Sequence, residues 1–223
     1  MTTPIDQLTV LPPCDQPLEI VREASTFVVV NKPPRLLTVP GRHPANRDSV
    51  IERFRAEHPQ VHAVHRLDFD TSGLVVVPLT KTSLSHLSRQ FQARSVSKTY
   101  TAVVQGIVRD DEGEINLPMA PDPERRPRSK ITEDGKPALT RFKVLERDHS
   151  QDRTRLALYP VTGRSHQLRL HCQAMGHPIL GCEFYAPPEV AAMASRLLLH
   201  ACTLAFEDPE TGEALSFSVP APF

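Results

Sequence analysis

Residues 74–79 (LVVVPL) are continuously apolar and β-rich, the pattern of a strand buried on both faces. Residues 27–31 (FVVVN) predict a second strand. It ends at Lys32-Pro33-Pro34, where proline removes a ladder donor and restricts the residue before it. Further strands are expected over residues 99–105, 139–145, 154–160, 198–206 and 215–219. In the last of these Leu215, Phe217 and Val219 alternate, so one face is buried. Three segments carry helical spacing instead. Val50, Ile51 and Phe54 follow Asp48 as a candidate cap, Leu84, Leu87 and Phe91 follow Thr80 or Thr82, and Leu168, Cys172 and Met175 precede a stop at Gly176. Strands outnumber helices and do not alternate regularly with them, which predicts an α+β fold rather than a doubly wound sheet.

Two loops between these elements carry candidate chemistry. His65-Arg66-Leu67-Asp68-Phe69-Asp70-Thr71-Ser72-Gly73 sets an acid among basic and turn-forming residues just before the apolar strand, so Asp68 is expected on a rigid rim. Nearly a hundred residues later, Thr162-Gly163-Arg164-Ser165-His166-Gln167-Leu168-Arg169 reads as a strand handing over to a helix through a sharp turn from which Arg164 projects. A guanidinium placed there can lie against a carboxylate such as Asp68 and keep it ionised without a metal.

These two segments, with Asn31-Lys32-Pro33 and Lys98-Thr99-Tyr100, resemble the RluA-type pseudouridine synthases. The HRLDxxTSG pattern matches at every fixed position, TGRxHQLR is complete, and the similarity extends through Gly181-Cys182-Glu183-Phe184-Tyr185 and Leu197-Leu198-Leu199-His200-Ala201. The resemblance implies a single catalytic domain over residues 23–223, a long, mixed, mostly antiparallel sheet with flanking helices and a central cleft. Residues 1–22 are polar and proline-bearing, expected to be loosely ordered and without an appended RNA-binding module. One position departs from the family pattern. Arg35 stands where glycine is usual, and would be strained if the backbone there needs a positive φ.

The resemblance also assigns roles. Conversion of uridine to pseudouridine breaks the N1–C1′ bond, turns the base and rejoins it through C5, so neither redox cofactor nor metal is required. Asp68 attacks the ribose or removes the C2′ proton, and both routes stay open. Arg164 partners Asp68. Tyr100, by alternation an ordinary core tyrosine beside Ala102 and Val104, would stack on the uracil and take the C5 proton. Arg66 would fill the gap left by the extruded base. His65 would orient the loop or touch phosphate, and Leu168 would pack beneath the base. The rival chemistry is a nucleoside or glycoside hydrolase with Asp70 as second acid. Asp70 falls on a variable motif position and close spacing in a turn does not oppose two carboxylates across a bond, so it reads as a surface or turn-capping residue. A catalytically silent RNA-binding protein is the other alternative.

Composition narrows the partners. The formal net charge of zero over 223 residues argues against a protein that coats nucleic acid through bulk positive charge, so charge is read locally, in Arg89, Arg94 and Lys98 and in Arg164 and Arg169, with structured RNA as the expected partner. Arg125, Arg126, Arg128 and Lys130, among prolines, read as an extended loop able to reach over RNA or as a solvated face. The absence of a membrane-length apolar run or basic leader makes the cytoplasm the expected compartment. Four cysteines without a C-x-x-C pair suit a reduced environment, and His166, His171 and His177 do not follow a usual zinc spacing. Within the family, residues 36–42 and 220–223 look most like the short branch that modifies both a large-subunit rRNA stem-loop and tRNA anticodon stem-loops.

Overall fold

Valine-rich runs at the start of the chain and alternating runs later assemble into two compact units of mostly antiparallel sheet. The computed structural model describes residues 9–223. The first unit contains the described residues up to 97 together with 203–219, and the second contains residues 98–202 and 220–223.

In the first unit, β1 (Glu19–Glu23) lies antiparallel on β2 (Phe27–Lys32), and β2 on β3 (Ser72–Pro78). Every residue of β3 is buried, as its unbroken apolar run requires. Next to β3 lies β10 (Leu199–Glu207), whose residues from Thr203 belong to this unit and on which β11 (Ala214–Ser218) pairs antiparallel. Phe27 and Val29, Leu74 and Val76, and Leu204 and Phe206 pack on one face with Leu87 of α2 (Lys81–Ala93), and the rings of Phe27 and Phe206 meet edge to face at 5.4 Å. Thr80 caps α2 through a reciprocal pair of bonds with Ser83.

The second unit orders β4 (Ser97–Gln105), β9 (Arg153–Pro160), β8 (Leu139–Asp148) and β5 (Glu112–Asn116), with the early half of β10 on the far side of β4. The β4–β9, β9–β8 and β8–β5 pairs are antiparallel. Ala102, Val104, Leu156 and Leu158 face Leu168 and Cys172 of α3 (Gln167–Ala174). Cys172 is a core thiol, its pKa pushed up to about 12 by burial and the neighbouring Cys182. A short α4 (Pro188–Ala191) closes against Gly181, whose φ of +73° and whose approach to the Arg196 carbonyl leave no room for a Cβ.

Four readings of the sequence change. The stretch expected to be loose over residues 1–22 lies outside the described residues for positions 1–8. Its remainder is tied down: Leu11 N–H donates to Asn46, Arg53 donates to the carbonyls of Cys14 and Gln16, and β1 pairs with β2. The cap of α1 (Val50–Arg55) is Ser49, which accepts from Glu52 N–H, because Asp48 is drawn into a two-pronged pair with Arg53 at 2.8 Å. The basic stretch from Arg125 to Lys130 is loop at Arg125, Arg126 and Arg128 and strand at Lys130. It forms the tip and second strand of a hairpin, β6 (Met119–Pro121) with β7 (Ser129–Ile131). Glu112–Asn116, where no strand was expected, forms β5. Among the described residues no helix is long and apolar enough to cross a membrane.

Candidate active site

Each motif occupies one unit. Asp68, with His65 and Arg66, lies in the first, and Arg164, with Tyr100 and Leu168, in the second.

Asp68 is half-buried on the loop that leads into β3, between buried Leu67 and half-buried Phe69, while Arg66 is exposed. Loops rarely hold a side chain in one place without outside help, and here the help comes from the segment that follows β2. The buried Lys32 ammonium donates to the carbonyls of Leu36 at 2.7 Å, Pro33 at 2.9 Å and Phe69 at 3.3 Å. Arg35 N–H donates to the same Phe69 carbonyl at 2.8 Å. Arg35 does so from a left-handed backbone with φ of +61°, so the turn keeps the conformation for which glycine is suited and arginine bears the strain. On the other flank, the Thr38 hydroxyl bonds both the N–H and the carbonyl of Leu67. Thr71 N–H closes the loop on the Asp68 carbonyl at 3.2 Å. His65 accepts from Val76 N–H through Nε2 at 3.0 Å, and its ring stacks on Phe91 at 4.6 Å. Of the two roles expected for His65, this contact is of the loop-orienting kind.

The Arg164 backbone is held from within its own segment. The buried Gln167 side chain uses all four of its hydrogen-bonding positions. Oε1 accepts from Arg164 N–H at 3.0 Å and from the Thr162 hydroxyl at 2.8 Å, and Nε2 donates to the Leu139 carbonyl and Thr140 Oγ1, both at 3.0 Å. The direction of the next bonds follows. The Leu117 carbonyl can only accept, so His171 Nε2 carries a proton, and the neutral ring accepts the Thr140 hydroxyl at Nδ1, 2.9 Å away. Burial lowers the pKa of His171 and favours that neutral form. The Arg164 side chain donates from Nε to the Pro137 carbonyl at 3.1 Å. His166, the residue before α3, has φ of +57°. Its Nδ1 shares a 2.8 Å bond with the Tyr185 hydroxyl, which also accepts from Ser129 N–H, so the basic hairpin and the Arg164 turn are tied to one tyrosine.

Tyr100 stands on β4 opposite Leu158, on the face of Ala102 and Val104, and packs against the cluster that contains Leu168. Leu168 is 7% exposed and belongs mainly to that core. Burial holds the Lys98 ammonium below the usual lysine range on the same strand. Nearby in sequence, Arg169 is almost fully buried, with its guanidinium over the Phe184 ring at 4.8 Å and Nε on Cys182 Sγ.

Among the described residues no group of three His, Cys, Asp or Glu side chains is placed to hold a metal ion. His166, His171 and His177 are each committed to a separate partner, the last to the Gln105 carbonyl. Lys32, Thr38 and Gln167 were missed as supports of the site. Lys32 and Gln167 sit inside the motifs, but only a fully buried lysine and a four-bonded amide reveal what they do.

A family model described as RNA pseudouridylate synthase matches residues 26–174. A dual-specificity RNA pseudouridine synthase RluA of Pasteurella multocida is 51% identical over 213 residues, covering 95% of this chain and 97% of the relative. The protein of the same name from Escherichia coli K12 is 48% identical over 214 residues, again 95% and 97% of the two chains. The solved structure of Human RNA Pseudouridylate Synthase Domain Containing 1 superposes with a TM-score of 0.80 at 31% identity, over 95% of this chain and 86% of that one.

Proposed function

Because the chain belongs to the RNA pseudouridylate synthase family, we propose that it isomerises uridine in two kinds of structured RNA, a large-subunit rRNA stem-loop and a tRNA anticodon stem-loop, in the cytoplasm. The observation that carries the finer reading is near-complete coverage at about half identity to relatives named dual-specificity synthases. The same names favour isomerisation over hydrolysis or silent binding.

In this reading residues 23–223 work as one catalytic domain. Asp68 acts on the ribose, as nucleophile or as base at C2′, and Arg164 is its partner. Arg66, exposed at the rim of the Asp68 loop, takes the place of the extruded base, whose unstacking costs a few kcal/mol. Tyr100 stacks on the uracil and receives the C5 proton, with Leu168 beneath it, and His65 holds the loop. Substrate and product have the same formula, so the chemistry needs a positioned carboxylate and a stacking surface, and the pinning of the backbone on both sides of Asp68 supports that use.

The test is a product analysis. Incubation of the protein with an rRNA stem-loop and with a tRNA anticodon stem-loop should convert a uridine to pseudouridine in both, with no free uracil. Conversion in only one RNA would refute dual specificity, and release of uracil would refute isomerisation.

A further inference from the structure

Thr38 lies in the stretch after β2 and belongs to neither of the two long motifs. Its hydroxyl donates to the Leu67 carbonyl at 2.9 Å and accepts from Leu67 N–H at 3.1 Å. One oxygen thus satisfies both backbone groups of the residue immediately before Asp68. Thr38 is 2% exposed and Leu67 5%, so water has little room to take over either bond. The threonine is itself fixed. Its carbonyl accepts from Ile51 N–H at 3.1 Å, the Leu37 carbonyl accepts from Val50 N–H at 2.9 Å, and Leu37 bridges to Ser49. The first turn of α1 therefore holds Thr38, and Thr38 holds the peptide from which the Asp68 side chain springs.

We propose that Thr38 is a positioning residue for Asp68, setting the direction of its carboxylate through the two bonds to Leu67. The inference rests on the reading of Asp68 as the reacting acid. It goes beyond that reading by assigning a specific role to a hydroxyl 29 residues away from the backbone it governs. A carboxylate that must meet one ribose atom is sensitive to small changes of aim, because a misplacement of about 1 Å can cost on the order of 100-fold in rate.

Thr38→Val preserves shape and removes both bonds, and Thr38→Ser preserves the hydroxyl. With the full chain and a stem-loop RNA, single-turnover rates at saturating enzyme and RNA affinity are measured well below the melting temperature of each variant. Thr38→Val should slow conversion about 10- to 100-fold with affinity within about twofold of the parent, and amide exchange at Leu67 should quicken. Thr38→Ser should recover most of the rate. If the valine variant does not fold, Thr38→Ala removes the hydroxyl without added bulk and must show the same split between rate and affinity. A valine or alanine variant at the parental rate overturns the proposal, as does a loss of rate matched by loss of affinity. Asp68→Asn in the same assay separates the two claims. If it stays active, the reading of Asp68 is wrong, whereas an inactive Asp68→Asn beside a fully active Thr38→Val refutes the role of Thr38 alone.

Discussion

The Asp68 loop and the Arg164 turn are both rigidly held, but by opposite means. The Arg164 backbone is fixed by its own neighbourhood, since Gln167 is three residues away and Thr162, Gln167's other donor, is two. Asp68 is fixed by strangers. Lys32 and Thr38 reach its flanking carbonyls from 37 and 29 residues earlier, and His65 is anchored on Val76 and Phe91. A locally closed turn survives as a recognisable string of residues, whereas a loop held from afar depends on the packing of β2, β3 and α1 being complete. Disturbance of the first unit's core should therefore reach Asp68, while Arg164 should respond mainly to changes within residues 129–185.

The largest expected effect that sharpens this contrast comes from Gln167→Met. It removes the four hydrogen bonds of that amide and takes from the Arg164 N–H its partner, while Leu139, Thr140 and Thr162 each keep another bond, which should lower stability by about 3 kcal/mol and slow the reaction. Denaturant unfolding together with the rate measures both. Unchanged stability would mean that the turn is not held by that amide.

A smaller effect comes with pH. Burial, and the nearby Arg196 charge, lower the His200 pKa to about 4, and burial also lowers that of His171. Both rings are in the second unit. Their folded values lie below the unfolded value near 6.5, so the unfolded chain takes up protons first as pH falls through that value. The stability they contribute is complete above about pH 6.5 and is lost toward pH 4. His200 alone accounts for about 2 kcal/mol between pH 7 and pH 5. Unfolding curves should show this loss, and His200→Gln should flatten it. A stability independent of pH over that window would contradict the buried, neutral rings.

The smallest effect concerns the left-handed Arg35. Arg35→Gly relieves a conformation costing on the order of 1 kcal/mol, partly offset by the greater freedom of glycine in the unfolded chain. Melting should move upward by a few degrees at most, with activity retained because the N–H donated to Phe69 is still present. A clear loss of stability would show that the arginine side chain makes a contact worth more than the strain.

Most of the strands were legible in the sequence because buried runs such as residues 27–31 and 74–79 have no other stable use, and the reading of Thr80 as a cap needed only its helix. What stayed hidden had physical reasons. Glu19–Glu23 is an edge strand with four of its five residues exposed, so it shows no burial period. The hairpin of β6 and β7 has three-residue strands set among prolines. Asp48 and Ser49 are both good caps, and only the Arg53 guanidinium decides between them. The partner of a buried ammonium or hydroxyl cannot be read from neighbours in sequence, which is why Lys32 and Thr38 emerged only with the fold.

Asp68 is the centre of the proposed chemistry, and the most direct measurement is pseudouridine formation by Asp68→Asn on a stem-loop that the parent protein modifies, with RNA affinity measured in parallel. The amide keeps the size of the side chain and removes its charge. Conversion should fall by on the order of 1000-fold or more while affinity stays within a few-fold of the parent. Turnover near the parental rate would contradict the assignment.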